Sequence, residues 1–302
     1  MKKSSTSAQK NQKYIALFLA VTMFLSIFVI YFSGINTNAS EGEEPKVSGD
    51  TQLQMLSFSQ LPGKKVQHEF NSIADGLAMS PEGPVSAQYI DFQRTKGTPF
   101  ESALGAQQIT QYLYGGDITK RFAADYFDGR HVELHQPAEQ KLGVPLNMSQ
   151  YEGYVLCARA NESYDIWNVV GNPVLFGPEK SVKSVIDVLE GNSSSAECFE
   201  QILNYSEPSG AIFQEVVKRD IFIDIPAEQW YKDLKKLDDG SYSQTSIFLN
   251  PDENLTKQIG IMAANCSERK VLYDVMTEGN ITKLVISADF ESLNNETAMI
   301  MV

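Results

Sequence analysis

The sequence predicts an α+β domain whose sheet is mainly antiparallel or mixed, with helices on one face, preceded by one N-terminal transmembrane helix. Three observations predict it. Residues 14–32 are apolar and uncharged. Helix-period and strand-period segments alternate after residue 53. Several of the strand segments are joined by short turns, as in hairpins. With 302 residues, 42% of them hydrophobic and 21% charged, the chain can bury a core and does not have the composition of a disordered one.

The apolar run from Tyr14 to Phe32 holds nineteen residues, and at about 1.5 Å per residue a helix of that length spans about 28 Å of hydrocarbon. Lys2, Lys3, Lys10 and Lys13 precede it; Glu41, Glu43 and Glu44 follow it. The positive-inside rule makes residues 1–13 a cytoplasmic basic tail and 14–32 a single-pass anchor in the cell membrane. Residues 33–52 form a polar stalk, and 53–302 an extracytoplasmic domain, with a possible sub-boundary near residue 145 at Gly143-Val144-Pro145. The alternative is a cleaved signal peptide with Thr37 and Ala39 at −3 and −1; the length of the run favours the retained anchor.

The formal net charge is −13, and the four lysines of residues 1–40 leave −17 on the remainder. Such a domain is a poor partner for nucleic acid and is repelled by anionic lipid. Nine Asn-x-Ser/Thr sequons occur, at Asn38, Asn147, Asn161, Asn192, Asn204, Asn254, Asn265, Asn280 and Asn295. About two are expected by chance, so the domain is read as N-glycosylated, with the sequons marking exposed loops. Three cysteines exclude a disulfide-dense scaffold. One disulfide and one buried thiol are expected among Cys157, Cys198 and Cys266, with the pairing open.

The elements follow in order. Val85–Phe92 reads as a strand after the turn Pro81-Glu82-Gly83-Pro84. Thr98-Pro99-Phe100-Glu101 is a capping box opening a helix to about Leu113, stopped by Gly115-Gly116. Ile118, Phe122 and Tyr126 predict a second helix from Asp117. His131–Leu134 is extended. Tyr154–Ala158, the turn Asn161-Glu162-Ser163 and Tyr164–Val170 make a hairpin, and Val174–Phe176 a short buried strand. Pro178, with Val182, Val185, Ile186 and Leu189 inward and Gly191 at the end, marks a helix. Ser194-Ser195-Ala196-Glu197 opens another, with Phe199, Ile202 and Leu203 inward. Ala211–Val217 and the alternating Ile221, Ile223 and Ile225 read as strands. Trp230, Leu234 and Leu237 predict a short helix. Ser246–Leu249 is a strand, residues 255–267 fit either helix or strand, and Val271–Met276 with Ile281–Phe290 form a hairpin about Glu278-Gly279-Asn280.

No phosphate loop, dinucleotide fingerprint, nucleophile elbow, His-Glu-x-x-His or Cys-x-x-Cys motif occurs. The candidate chemistry is His131, Glu133 and His135, which share one face of a strand and offer two imidazoles and a carboxylate to Zn²⁺. The competing reading is an amphipathic strand. Ser267 and Lys270 match Ser-x-x-Lys without its companion motifs. Asp238-Asp239-Gly240 and Asp252-Glu253-Asn254 are acidic turns without EF-hand spacing, read as solvated. Trp230 and Tyr231 read as core and interface anchors. No cofactor is implied.

The anchor, stalk and sequon-rich acidic domain resemble membrane-anchored cell-surface proteins of methanogenic archaea, a group with no activity to carry over. Residues 168–217, from Asn168-Val169-Val170-Gly171-Asn172-Pro173 through Ser181-Val182-Lys183-Ser184-Val185-Ile186-Asp187 to Val217, resemble an extracytoplasmic module of strand, helix and second helix. The resulting expectation is a non-catalytic envelope module that binds or supports other envelope proteins or glycans. A metal-assisted hydrolase using His131, Glu133 and His135, or an accessory subunit of a membrane complex, are the alternatives.

Overall fold

The computed structural model describes residues 54–101, 110, 113–144, 146–159, 165–220, 223, 225–264, 269 and 271–300. The anchor run 14–32, the stalk, the sequons at Asn38, Asn161 and Asn265, Cys266, the Ser267 and Lys270 pair, and most of the Pro99–Leu113 helix lie outside them. Among the described residues no helix is long and apolar enough to cross a membrane.

Residues Leu53–Val302 form one compact α+β unit. Its strands are β1 (Met55–Ser57), β2 (Val66–Gln67), β3 (Pro84–Asp91), β4 (Ile118–Tyr126), β5 (His131–Pro137), β6 (Lys141–Gly143), β7 (Leu146–Tyr151), β8 (Tyr154–Arg159), β9 (Trp167–Val169), β10 (Gly171–Asn172), β11 (Val174–Gly177), β12 (Ala211–Lys218), β13 (Gln229–Lys236), β14 (Tyr242–Leu249), β15 (Leu272–Glu278) and β16 (Ile281–Ala288). The helices are α1 (Ile73–Met79), α2 (Phe92–Thr95), α3 (Glu179–Leu189), α4 (Glu200–Leu203), α5 (Glu253–Ala264) and α6 (Phe290–Ile300).

Twelve strands make one antiparallel sheet in the order β15-β16-β14-β13-β12-β3-β4-β5-β11-β9-β8-β7. Strands from both sides of residue 145 belong to it. Two small ladders flank it: β1 pairs antiparallel with β6, and β2 pairs parallel with β10.

Residues directly opposite in an antiparallel pair share a face, so the registers sort the side chains into two cores. Tyr89, Phe122, Leu134, Leu175, Val216 and Tyr231 face one side, where α1, α3 and α4 supply Leu77, Val182, Ile186 and Ile202. Leu234, Phe248, Leu284, Ile286 and Ala288 face the other side, under Leu255 and Ile259 of α5 and Leu293 and Ile300 of α6. The helices therefore cover both faces and not one face as expected: α1, α3 and α4 lie on the first, with α4 against β13 and β14, and α5 and α6 lie on the second. Both faces of the sheet carry apolar residues, so each needs its own helical cover.

Four segments differ from their predicted type or extent. Residues 118–126 and 229–236 are strands, not helices. Ile118, Phe122 and Tyr126, and likewise Trp230 and Leu234, are spaced by four, which fits a helix turn and, being even, also keeps one face of a strand. The helix expected from Ser194 is confined to Glu200–Leu203. The residues before it bond to another loop instead, Glu82 N–H to Ser194 O at 3.2 Å and Ala196 N–H to Ser80 O at 2.9 Å. The ambiguous segment after residue 253 is the helix α5. Ile223 and Ile225 belong to no strand. The predicted helix at Glu179–Leu189 is as read, with Val182, Val185 and Ile186 buried and Lys183 paired to Glu179 at 2.7 Å.

Candidate functional site

On β5, Val132 and Leu134 enter the core while His131, Glu133 and His135 share the opposite face. β4 sets Arg121 beside His135, Ala123 beside Glu133 and Asp125 beside His131. β11 brings Phe176 beside Glu133. Five polar side chains from two neighbouring strands thus meet on one face, and small Ala123 leaves the space next to Glu133 to its neighbours.

Glu133 is the hub. Its Oε1 accepts from Arg121 Nε at 2.5 Å and from His135 Nε2 at 2.7 Å, and its Oε2 lies 3.3 Å from His131 Nε2. His131 Nδ1 meets Asp125 Oδ1 at 2.7 Å. The Tyr114 hydroxyl lies 2.9 Å from His135 Nδ1 and donates to Asn168 Oδ1 at 3.2 Å. Phe176 stacks on the His135 ring at 4.8 Å. Glu133 and His135 are each 2% exposed.

The electrostatics follow from this packing. Burial favours the neutral acid at Glu133, but the charges of Arg121 and His135 and the bonds from both imidazoles outweigh it and hold its pKa well below the ordinary value. Burial likewise disfavours a charged His131, but its bonds to Asp125 and Glu133, with their charges, push its pKa up to about 9. The Tyr114 hydroxyl is raised by burial and then by Glu133.

The strand therefore brings His131, Glu133 and His135 together, but their donor atoms face one another. A divalent ion would have to displace the Arg121 guanidinium and break both His–Glu133 bonds, so the set does not fit a metal as arranged. Among the described residues no group of three or more His, Cys, Asp or Glu is arranged to hold one. The gap bounded by Val132, Glu133, Phe176 and Ser181 has no room for a water molecule.

The same face continues across the sheet with residues that sequence reasoning missed. Glu133, Ala123, Gln88, Glu215, Lys232 and Ser246 lie directly opposite one another in turn, on six strands counting from β5 to β14. Glu215 accepts from Gln88 at 3.1 Å and pairs with Lys232 Nζ at 2.8 Å. Lys232 also lies over Trp230 and Phe213, 4.9 and 5.3 Å from the ring centroids. One signal in the sequence points to this row: Glu215 interrupts the apolar run Ala211–Val217 with a charge. Trp230 is on a strand, stacked on Phe248, and Tyr231 is buried against Asp233.

An open cleft of about 540 Å³ lies beyond the first core, lined by Gln67, His68, Lys120, Gln136 and Asn172 among others. Lys120 Nζ is already bonded there to Phe70 O at 3.0 Å and Asn71 Oδ1 at 2.8 Å. His68 lines this cleft with Lys120 and Gln136, which face the opposite side of the sheet from His131 and His135. The acidic turns are internally bonded or ion-paired, with Asp239 accepting from Ser241 N–H at 2.9 Å and Asp252 paired to Arg219 at 2.9 Å. Cys157 is buried, its thiol pushed up to about 11 by that burial, and Cys198 is half-buried; both are free thiols.

The described sequon asparagines are Asn147, Asn192, Asn204, Asn254, Asn280 and Asn295, and all six are exposed. Asn147 is on β7, Asn280 is in the β15–β16 turn, and the others lie on or next to helices.

Fold and site define an α+β protein built on a wide antiparallel sheet with a buried ion-pair network. No family model matches the chain, and no curated protein matches it. Among solved structures it is similar to crystal forms III and I of TP0453, each at 13% identity and a TM-score of 0.41. They cover 72% and 76% of this chain and 96% and 98% of that chain.

Proposed function

We propose that the chain is a membrane-anchored, N-glycosylated extracytoplasmic module that binds or supports other envelope components and performs no catalysis. One observation carries the reading: the six described sequon asparagines are all exposed, spread over both ends of the sheet, while nine sequons stand where about two are expected. The apolar run with lysines before it and glutamates after it supplies the anchor and its direction. The resemblance to anchored surface proteins of methanogens points the same way. The polar cluster supports a structural role, because its donors and acceptors bond to one another.

Protease treatment of intact cells tests the topology. External protease is expected to remove epitopes placed in residues 53–302 and to spare one placed before Lys10. Protection of the domain epitope in intact cells, with cleavage after lysis, would overturn the reading.

A further inference from the structure

The open cleft of about 540 Å³ lies on the opposite face of the sheet from the Glu133 network. Its walls come from four separate stretches: Gln67 of β2 with the segment that follows it, Lys120 of β4, Gln136 of β5 and Asn172 of β10. The fold fixes these stretches to one another. His68 N–H donates to Asn172 O at 3.0 Å, and Asn71 N–H to Asp75 Oδ2 at 2.6 Å. Lys120 Nζ ties the segment to the sheet through Phe70 O and Asn71 Oδ1. β2 lies so close to β10 that a Cβ on Gly171 would stand 2.3 Å from Val66 O. Walls held in place beforehand lose less freedom when a ligand binds.

The chemistry of the lining sorts the ligands it can take. Phe70, its one apolar residue, is 3% exposed, so a hydrocarbon ligand meets no apolar surface. Lys120, its one ammonium, already gives two of its three N–H groups to neutral oxygens, and the Glu69 carboxylate shares the cleft. That is not the cluster of cationic donors a phosphate or sulfate needs. One carboxylate and one imidazole are too few to hold a divalent ion. Four of the eight lining residues are carboxamides, Gln67, Asn71, Gln136 and Asn172, and each offers both donors and an acceptor. Gln136 Oε1 has no hydrogen-bond partner in the fold. His68 Nδ1 donates to Glu69 O at 2.8 Å, which leaves Nε2 of the neutral ring as an acceptor. A hydroxyl group, with one donor and two acceptor positions, matches this mixture.

We propose that the cleft binds a neutral saccharide, with the carboxamides of Gln67, Gln136 and Asn172 bonding to its hydroxyl groups. The volume falls within the roughly 300–1,000 Å³ of small-molecule sites. The inference goes beyond the envelope reading and does not rest on it, because the walls belong to the folded domain alone.

The test uses the full chain in a detergent without a sugar headgroup, on a printed array of neutral, uronic-acid and sulfated oligosaccharides. Neutral oligosaccharides are expected to retain the protein, and calorimetric titration with the best of them to saturate at one per chain. Gln136→Leu removes a carboxamide at similar size, and Gln67→Ala removes one from an exposed residue. Each is expected to weaken binding about tenfold, as loss of a hydrogen-bonding partner does, with unchanged circular dichroism. Gln67→Ala keeps the test decisive if Gln136→Leu fails to fold. Three results overturn the proposal: no retention by neutral oligosaccharides, retention by the acidic and sulfated ones alone, or an affinity indifferent to both substitutions. Each of them leaves the protease topology test untouched, so failure here is distinct from failure of the envelope reading.

Discussion

Glu133 is buried with two imidazoles and a guanidinium around its carboxylate, and each neighbour loses a partner if the charge is removed. Breaking a buried ion pair from one side costs about 3–5 kcal/mol, because the remaining charge stays desolvated. Glu133→Gln is therefore expected to lower stability by several kcal/mol in urea denaturation; a loss below about 1 kcal/mol would contradict the hub assignment. The pH dependence has a definite sign. His131 titrates near 9 against 6.5 unperturbed, so its contribution is complete below about 6.5 and disappears as pH rises through 9. Glu133 acts oppositely: its contribution is present above about 4.5 and is lost as pH falls through its lowered folded value. Melting temperature is thus expected to fall between pH 6.5 and 9, on the order of 1–3 kcal/mol in stability, and His131→Gln should flatten that slope. At this scale the sequence was informative: alternation alone put His131, Glu133 and His135 on one face. Arg121 was not legible as their partner, because it reaches them through the β4–β5 register and not through sequence spacing.

Among the elements, a periodic run bounded by a cap or a tight turn was legible, whereas a spacing of four fitted helix and strand alike and the alternation of Ile223 and Ile225 made no strand. The Glu179–Leu189 helix and the β15–β16 hairpin each had caps or turns at both ends. Residues 118–126 and 229–236 also have turn residues beside them, Gly115-Gly116 and Asp239-Gly240, but such residues flank a strand as readily as a helix, and spacing by four fits both. Packing between elements also reverses an ordinary rule. Gly→Ala inside a helix is usually favourable by about 1 kcal/mol. In α1, a Cβ at Gly76 would stand 2.2 Å from the ring of Phe122, a fully buried residue of β4. The clash outweighs the propensity gain, since overpacking costs typically 1–3 kcal/mol. Gly76→Ala is expected to be destabilising by denaturant midpoint, and a stabilised variant would show that α1 does not rest on β4 as described.

For the whole molecule, the sequence conveyed class and composition but not architecture. Nothing local encodes that one sheet continues from β15 to β7, or that helices cover both of its faces, because strand order is set by pairings between residues far apart in the chain. The six described sequons mark positions that the fold leaves exposed, but Asn147, Asn254 and Asn295 lie on β7, α5 and α6 and not in loops as expected. The most direct test of the account is the intact mass of the protein extracted from its own membranes. The account predicts a polypeptide that retains the apolar run 14–32, plus glycans that disappear in Asn→Gln variants of the exposed sequons. A mass equal to the bare polypeptide would contradict glycosylation, and one beginning after Ala39 would contradict the retained anchor.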